Sequence, residues 1–338
     1  PQGRRAPRGA IIAPVASRHS AAIEGWLLAD VGGTRTRLAL LAAGGTLGPI
    51  CVTDNDRYPD LHALIASRLE TFPKDRSRLG AALAVAAPVV GETVAMTNRD
   101  WDFSIAGLRR ELGVARLHVF NDFTAIAWSI TALAAEDTLA IGSGMARAGA
   151  PMGVLGPGTG LGVSGLIPCD RGHAALAGEG GHVTLAPACE AEEAVLAMVR
   201  GRFGHASAER LVSGPGLVTL YECLQTLAGK EPRLVRPEDV TALAIGGSEP
   251  IAQRALGMFF GFLGSVAGDL ALTLGALGGV YLAGGILPGV ADALAASAFR
   301  ERFLAKGRYR RYLEPVPTRL IVHPCPALPG LCAVVERA

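Results

Sequence analysis

Two glycine-rich turns, which begin 126 residues apart, constrain the fold of this chain more than any other feature. The first is DVGGT at residues 30–34, and the second is GPGTGLG at residues 156–162. Each turn lies between two short apolar runs, which predicts a strand, a tight turn and a second strand. The backbone N–H groups of such a turn can face a phosphate. Two turns of this kind, one in each half, predict a duplicated phosphate clamp rather than a single loop for a dinucleotide.

The apolar runs that follow each turn come in a similar order, which indicates an internal duplication. In the first half, strands are predicted at 26–30, 37–42, 50–53, 80–90 and 117–120, and helices at 59–70, 104–112 and 122–135. In the second half, strands are predicted at 153–155, 162–167, 182–186, 279–282 and 319–323, and helices at 190–200, 206–211, 249–274 and 328–337. This order predicts an α/β protein with a duplicated βββαβαβα fold, in which two lobes enclose a cleft.

The composition of the chain is that of an ordinary globular protein. Its 338 residues are enough for two domains with filled cores. Half of them are apolar and 18% are charged. The formal net charge is +2, and the arginines that precede Glu24 account for this excess. Because the rest of the chain is close to neutral, we expect neither nucleic acid nor an anionic membrane as a partner.

Three features of the sequence bear on where the protein works. Residues 1–24 are rich in Arg, Ala, Pro and Ser and are predicted to be a disordered basic extension, with a transit peptide or an upstream start site as alternatives. The six cysteines form no CxxC pair, which favours reduced thiols and a cytoplasmic protein. The most apolar stretch, 255–286, contains Asp269 and recurrent glycines. It is predicted to be a buried helix, a turn and a buried strand rather than a membrane span.

Asp30 is an acid at the end of an apolar strand, where an ionised carboxylate needs a partner. A hydrated Mg²⁺ beside a phosphate would be such a partner, and the hydroxyls of Thr34 and Thr159 add hydrogen-bond donors. A plain hairpin is the simpler alternative. Two other nucleotide-binding patterns fit poorly, because the chain has no GxxxxGK[ST] motif and has Leu161 where a GxGxxG motif needs its third glycine.

Asn121 and Asp122 follow a predicted strand and precede a predicted helix. Either residue can cap that helix, which is the simpler interpretation. Asp122 can alternatively act as a general base, because ligands gather at the carboxyl ends of strands in open α/β sheets. Asn121 would then bind a neighbouring hydroxyl.

Further candidate ligand sites lie in the second half. Glycines around Glu179 and His182 allow a ligand to approach the backbone closely. A zinc site there is rejected, because Cys189 is the single cysteine nearby and four ligands are needed. Glu209 is either a ligand or a solvated residue of a short helix. The glycines of AGGI at 283–286 can lie flat against a purine or form a plain turn.

Eight short motifs occur in one order along the chain: DVGGT (30–34), AMTN (95–98), NDFTA (121–125), GTGLG (158–162), GEGGH (178–182), SAER (207–210), SGPGL (213–217) and AGGI (283–286). By these motifs the chain resembles the bacterial glucokinase family, which has the hexokinase and actin-like ATPase fold, related to that of ribonuclease H. The resemblance covers about residues 25 to 335.

The resemblance implies transfer of the γ-phosphoryl group of ATP to the 6-hydroxyl of D-glucose, which is the entry step of glycolysis. It implies that Asp122 is the catalytic base and that Asp30 holds Mg²⁺ through water. The residues implied to hold the sugar are Asn98, Asn121, Asp122, Glu179, His182 and Glu209. The residues implied to hold ATP are Asp30, Gly32, Gly33, Thr34, Gly158, Thr159, Gly160, Gly284 and Gly285.

The resemblance also implies an overall organisation. We expect a homodimer whose chain has a small domain of residues 25–132 with 323–338 and a large domain of residues 133–322. The zinc-binding relatives carry clustered cysteines after the histidine, whereas this chain has Cys189 alone there, so it is similar to the zinc-free branch. Arg35 departs from the asparagine that usually follows GGT in the family, and it could reach the γ-phosphate or obstruct it.

Three other functions stay open on the sequence. A kinase for mannose, fructose or an N-acetylated sugar would use a similar polar set, because selectivity depends on the orientation of one hydroxyl. A non-catalytic sugar sensor would need a DNA-binding module, and residues 1–24 are too short and too rich in proline for a helix-turn-helix. A filament-forming ATPase of the actin type is disfavoured by the polar set that suits a sugar.

Overall fold

The computed structural model describes residues 23–70, 76–97, 99–170, 172–233 and 235–336. Nearly all of the basic extension, and Asn98, lie outside these residues. The first half forms, in order, β1 Gly25–Val31, β2 Arg35–Ala42, β3 Cys51–Asp54, α1 Leu61–Leu69, β4 Leu79–Val85, β5 Thr93–Ala95, β6 Asp102–Ser104, α2 Ile105–Leu112, β7 Arg116–Asn121 and α3 Asp122–Ser129.

Five of these strands form one sheet in the order β3-β2-β1-β4-β7. The strands β1, β2 and β3 are antiparallel neighbours, whereas β4 runs parallel to β1 and β7 runs parallel to β4. The sequence of β4, LGAALAV, is almost entirely apolar, and the strand is buried at every position after the first. This is expected because α1 and α2 cover one face of the sheet and α3 covers the other.

The second half repeats this topology. It forms, in order, β8 Thr138–Gly142, β9 Met152–Pro157, β10 Leu161–Cys169, β11 Gly172–Gly178, α4 Glu190–Phe203, α5 Gly214–Leu227, α6 Pro237–Ile245, α7 Pro250–Leu274, β12 Val280–Leu282, α8 Ala291–Ala295, α9 Phe299–Leu304, α10 Arg310–Leu313, β13 Thr318–Ile321 and α11 Ala327–Val335. Six of its strands form a second sheet in the order β11-β10-β9-β12-β13-β8. Three antiparallel strands are again followed by two parallel ones, which confirms the predicted duplication.

Helices α3 and α11 pack against each other in a layer between the two sheets. Their backbones approach closely at Gly330, because a Cβ there would collide with the carbonyl group of Ala125. The apolar cluster around these helices contains Ala82 of the first sheet and Val154 of the second. The layer therefore holds the two sheets side by side and leaves a cleft where the glycine turns end.

Helix α7 is the centre of the largest apolar core, as the sequence predicts for a buried helix. Its 25 residues include Phe259, Phe260 and Phe262, which are almost completely buried, and it packs against α5, α6 and α9. Length and composition alone would allow this helix to cross a membrane, but 67% of its most apolar window is buried inside the protein. The helix is thus packed as the core helix of the second lobe.

Two elements predicted in the second half are wrong. Residues 182–186 are not a strand, since they begin in the 3₁₀ turn Gly180–His182 and make one isolated bridge, between Thr184 and Ser207. The third strand of the second repeat is β11 instead. Residues 206–211 are not a helix, because their backbone pairs with residues 181–185. The helix begins at Gly214, where the Ser213 hydroxyl caps it.

Smaller differences concern where elements end. The strand predicted at 80–90 ends at Val85, and the chain then turns towards the cleft before Pro88, which cannot donate to a sheet. The helix predicted at 122–135 ends at Ser129. The strands β5, β6, β8 and β11 and the helices α5, α6, α8, α9 and α10 are not predicted from the sequence.

Candidate active site

A cleft of about 670 Å³ opens between the two sheets and brings residues from both halves together. Most of the side chains and glycines predicted as site residues line it. They are Asp30, Gly32, Gly33, Asn121, Asp122, Gly158, Thr159, Gly160, Glu179, His182, Glu209, Gly284 and Gly285. Thr34 is exposed and is not among the lining residues, and Asn98 falls outside the described part of the chain.

The structure assigns the helix cap of the NDFTA motif to Asn121. Asn121 is the N-cap of α3, because its Oδ1 accepts hydrogen bonds from the backbone N–H groups of Phe123 at 2.9 Å and Thr124 at 3.2 Å. Its Nδ2 donates to the carbonyl oxygen of Ala87 at 3.3 Å. Since Asn121 caps the helix, Asp122 is left with its carboxylate at the cleft.

The pKa of the Asp122 carboxyl is raised from its ordinary 3.8 to about 7. Burial is the main cause, and the nearby carboxylates of Asp30 and Glu179 raise the pKa further. A hydrogen bond from the backbone N–H of Phe123 to Oδ1, at 2.8 Å, acts in the opposite direction. A carboxyl with a pKa near the working pH is suited to accept a proton from an alcohol.

Asp30 has a partner in Arg37, which the sequence motifs did not predict. The Nη1 of Arg37 lies 3.1 Å from its Oδ2, and the two residues face each other across the hairpin of β1 and β2. Burial raises the pKa of Asp30, while Arg37 lowers it. The signal was present in the sequence, because residues that flank a short turn symmetrically are cross-strand neighbours.

The first glycine turn is held from behind by two side chains that no sequence pattern singled out. The buried Asn55 donates from Nδ2 to the carbonyl oxygen of Gly32 at 2.8 Å, and Arg99 donates from Nη1 to that of Gly33 at 3.0 Å. The Oδ1 of Asn55 accepts a hydrogen bond from Thr36 at 2.7 Å. The peptide groups of this turn are therefore fixed by two residues that follow β3 in the chain, Asn55 and Arg99.

The second glycine turn is held by close packing. A Cβ at Gly156 would collide with the backbone of Ala283, and a Cβ at Gly162 would collide with the ring of Phe123. The carbonyl oxygen of Gly158 accepts a hydrogen bond from Gly214 at 2.8 Å. Gly158 itself has no atom within 4 Å of its Cβ position, so its backbone is open towards the cleft.

Gly284 and Gly285 border the same end of the cleft. Gly284 has a φ of +97°, and a Cβ there would meet the carbonyl group of Pro157, so this position requires glycine. Gly285 has nothing within 4 Å of its Cβ position. A flat ligand can therefore lie against the backbone at this point.

Glu209 is brought to the cleft by the backbone pairing that replaced the predicted helix. Its N–H donates to the carbonyl oxygen of Gly181, and its Oε2 accepts from the N–H of Leu161 at 2.9 Å. Its other oxygen lies 4.0 Å from Nδ1 of His182. With Glu179, these side chains offer both donors and acceptors to a ligand with several hydroxyls.

Within the described ranges, no group of three or more His, Cys, Asp or Glu residues is arranged to hold a metal ion. A cation held mainly by a bound phosphate needs fewer protein ligands, and Asp30 is a carboxylate at the cleft that could supply one. The site thus combines a carboxyl of raised pKa, a set of polar side chains and two glycine turns at the cleft.

Solved structures share this architecture. A glucokinase from an Antarctic psychrotroph is 33% identical and aligns with a TM-score of 0.83 over 94% of this chain and 100% of that one. A glucokinase from Balamuthia mandrillaris is 23% identical and aligns with a TM-score of 0.77 over 95% of each chain. At this level of identity, the likeness shows a shared fold and nothing more. The duplicated lobes and the cleft between them define a sugar kinase class of the actin-like ATPase fold.

Sequence comparisons narrow this class to one family. The family model of glucokinase matches residues 27–338. The glucokinase of Paramagnetospirillum magneticum is 46% identical over 315 residues, which are 91% of this chain and 97% of that protein. The glucokinase of Aromatoleum aromaticum is 45% identical over 320 residues, or 92% and 95% of the two chains. The chain belongs to the glucokinase family.

Proposed function

We propose that this protein is a glucokinase, which transfers the γ-phosphoryl group of ATP to the 6-hydroxyl of D-glucose. One observation carries the proposal: the Asp122 carboxyl, with a pKa of about 7, lines the cleft between the two glycine turns. Membership of the glucokinase family supports it, and so does the solved glucokinase from Balamuthia mandrillaris, which was crystallised with glucose.

In this mechanism Asp122 accepts the proton of the sugar's 6-hydroxyl as that oxygen attacks the γ-phosphorus. Hydrogen bonds fix the sugar so that this hydroxyl faces the phosphate. Asn121, Glu179, His182 and Glu209 are the proposed partners of the other hydroxyls, together with Asn98. A sugar with a missing or differently oriented hydroxyl would leave the carboxylate of Glu179 or Glu209 without a hydrogen-bond partner. The same residues therefore also select the sugar.

The phosphates are proposed to lie against the two turns, where Gly32, Gly33, Gly158, Thr159 and Gly160 offer backbone amides or a hydroxyl. The amide of Thr34 is proposed to belong to the same set, although its side chain is exposed. The ribose or adenine is proposed to lie against the backbone at residues 284–285, where there is open space beside Gly285.

The residues present fit a magnesium ion bound with the phosphates, because Asp30 presents a carboxylate to the cleft and Arg37 holds it in place at 3.1 Å. When bound, the ion neutralises charge on the phosphate oxygens. Asp30 is proposed to hold it through water. Arg37 favours the ionised form of the Asp30 carboxylate, since its charge lowers the pKa that burial raises.

The proposal is tested by a coupled assay of ADP release with D-glucose, D-mannose, D-fructose and N-acetyl-D-glucosamine. The expected result is the highest kcat/KM with D-glucose, and its loss in Asp122→Asn. Asp102→Asn, which changes an exposed aspartate of β6, is the matched control and should retain activity. Absence of ADP release with glucose would overturn the proposal, and a preferred hexose other than glucose would reassign the substrate.

Two further expectations belong to the same proposal. We propose that the protein acts in the cytoplasm, which agrees with the free state of the cysteines. We also propose that it is a homodimer in which each chain has the small and large domains expected from the sequence. Light scattering behind size-exclusion chromatography measures the mass of the assembly, and limited proteolysis locates the domain boundaries.

A further inference from the structure

Arg99 connects two turns that are far apart in the sequence. It follows directly after the AMTN segment, in which Thr97 lines the cleft. Its Nη1 donates a hydrogen bond to the carbonyl oxygen of Gly33, which is 66 residues away, at 3.0 Å. The same nitrogen lies 2.8 Å from Oδ1 of Asp56. One side chain thus links the turn at residues 96–101 to the first glycine turn.

The hydrogen bond to Gly33 has a consequence for the other side of that turn. In a trans peptide group the C=O and the N–H of the next residue point in opposite directions. Holding the oxygen of Gly33 therefore aims the N–H of Thr34 the other way, and Asn55 does the same for the N–H of Gly33 by holding the oxygen of Gly32. Among the described residues, neither of these two amides has a backbone acceptor.

The position of Arg99 is itself well determined. Its guanidinium stacks on the ring of Trp101, 4.5 Å from the centroid, and its side chain is only 18% exposed. Trp101 is buried, and its Nε1 donates to the carbonyl oxygen of Pro59 at 3.0 Å. The N–H of Met96 bonds the carbonyl oxygen of Trp101 at 3.0 Å and closes the turn. A shift of this turn would therefore move the guanidinium and the glycine turn with it.

The hydrogen bond from Arg99 to Gly33 holds the glycine turn more strongly than the ion pair between Arg99 and Asp56 does. The carboxylate of Asp56 is 75% exposed, and ion pairs to such groups contribute little. The bond to Gly33 is partly buried and is made by a charged donor, which strengthens it. The two contacts can be separated experimentally, because removing Asp56 leaves the other in place.

We propose that Arg99 is a positioning residue that couples binding on the sugar side of the cleft to the orientation of the phosphate-facing amides of the first glycine turn. This inference rests on the proposed function, in which the AMTN turn binds sugar and the glycine turn binds ATP. Sugar bound on the side of the cleft that Thr97 lines holds this segment and Arg99 in place, and Arg99 in turn holds the carbonyl oxygen of Gly33. The reciprocal effect follows, so bound nucleotide strengthens the binding of sugar.

The test measures the affinity of an unreactive ATP analogue with Mg²⁺ by calorimetry, with and without saturating D-glucose. In the unchanged protein we expect glucose to tighten the analogue by about tenfold, a common size for coupling between sites. In Arg99→Met, which keeps the apolar stem over Trp101, we expect this ratio to fall to about twofold or less. Asp56→Asn is the matched control and should keep the ratio.

The outcomes separate this inference from the proposed function. An unchanged ratio in Arg99→Met, or no effect of glucose in the unchanged protein, overturns the inference. The same preparations are assayed for ADP release with glucose, and an inactive unchanged protein overturns the proposed function instead. If Arg99→Met does not fold, Arg99→Lys is used, and we expect an intermediate ratio because Lys keeps the charge but not the forked geometry.

Discussion

The two glycine turns occupy equivalent places in the two repeats, but they are held in different ways. The first turn is fixed by hydrogen bonds from polar side chains, those of Asn55 and Arg99, to its carbonyl oxygens. The second is fixed mainly by contact, since Gly156 and Gly162 lie so close to Ala283 and Phe123 that no side chain fits between them, and one side chain, that of Glu209, bonds its backbone at Leu161. The same topology therefore contains a turn held by side-chain hydrogen bonds, residues 30–34, which we call the tied turn. It also contains a turn held mainly by close contacts, residues 156–162, which we call the packed turn.

This difference has physical consequences for ligand binding. A packed turn cannot shift without opening voids or clashes in the core beside it. A turn held by side-chain hydrogen bonds can respond when the segments that carry those side chains move. We therefore expect the first turn to adjust to the sugar and the second to remain rigid.

The largest expected effect comes from the group that lies between the two turns. In Asp122→Ala, we expect turnover to fall by about 10²-fold or more, because the proposed base is missing. Glucose binding should be partly retained, as titration calorimetry can show. Normal turnover in this variant would remove Asp122 from its proposed role.

The packed turn is tested by adding one carbon atom. Gly162→Ala places a Cβ inside the ring of the buried Phe123, and we expect it to lower the free energy of unfolding by roughly 2–3 kcal/mol. Gly158→Ala in the same turn has open space and should leave stability nearly unchanged. Denaturant unfolding measures both. Equal stability of the two variants would contradict the idea that packing holds this turn.

The tied turn is tested at Asn55, which is completely buried. Asn55→Ala frees the carbonyl oxygen of Gly32, leaves that of Gly33 with Arg99 as its donor, and leaves the hydroxyl of Thr36 without its acceptor. We expect a loss of about 1–2 kcal/mol in the free energy of unfolding, together with a raised KM for ATP. Thr36→Val removes the hydrogen bond from Thr36 alone, so KM should change less. A normal KM for ATP in Asn55→Ala would indicate that the turn does not need this anchor.

The smallest expected effect is on the pH dependence of activity, and it depends on the charge that the first turn carries and the second does not. With the pKa of Asp122 at about 7, kcat/KM should fall roughly fivefold from pH 7 to pH 6, because the base becomes protonated. Only the first turn carries a carboxylate near Asp122, so Asp30→Asn should lower this pKa and move the midpoint of the pH profile to a lower value. A midpoint that does not move would show that burial acts without help from Asp30.

The same pKa predicts a change of stability with pH. Because the pKa of Asp122 is higher in the folded protein than its ordinary 3.8, folding favours the protonated form, and this group costs stability as the pH rises from about 4 towards 7. Asp122→Asn lacks that cost. Its melting temperature relative to the unchanged protein should therefore rise with pH in this range and level off above about 7.

The duplication could be predicted from the sequence because its signals are local. Apolar runs of the right length, such as LGAALAV in β4, and the glycine turns between them identify strands regardless of what packs on them. The motif around Asn121 and Asp122 also predicted both a cap and a base, and the structure assigns the cap to Asn121. Residues 206–211 show the opposite case, because their backbone bonds to residues 181–185 override a pattern that is helical in isolation.

The sequence by itself determined the repeat of strands and helices, the two glycine turns and the presence of an acid at the end of a buried strand, since each follows from the residues within a short segment. Only the tertiary structure decided what those segments meet. Arg99 behind Gly33 and Glu209 beside His182 are contacts between distant parts of the chain. Their formation depends on how the sheets and turns pack. Hydrogen bonds and ion pairs form only between groups a few ångströms apart, and a local sequence pattern does not show which distant residues come that close.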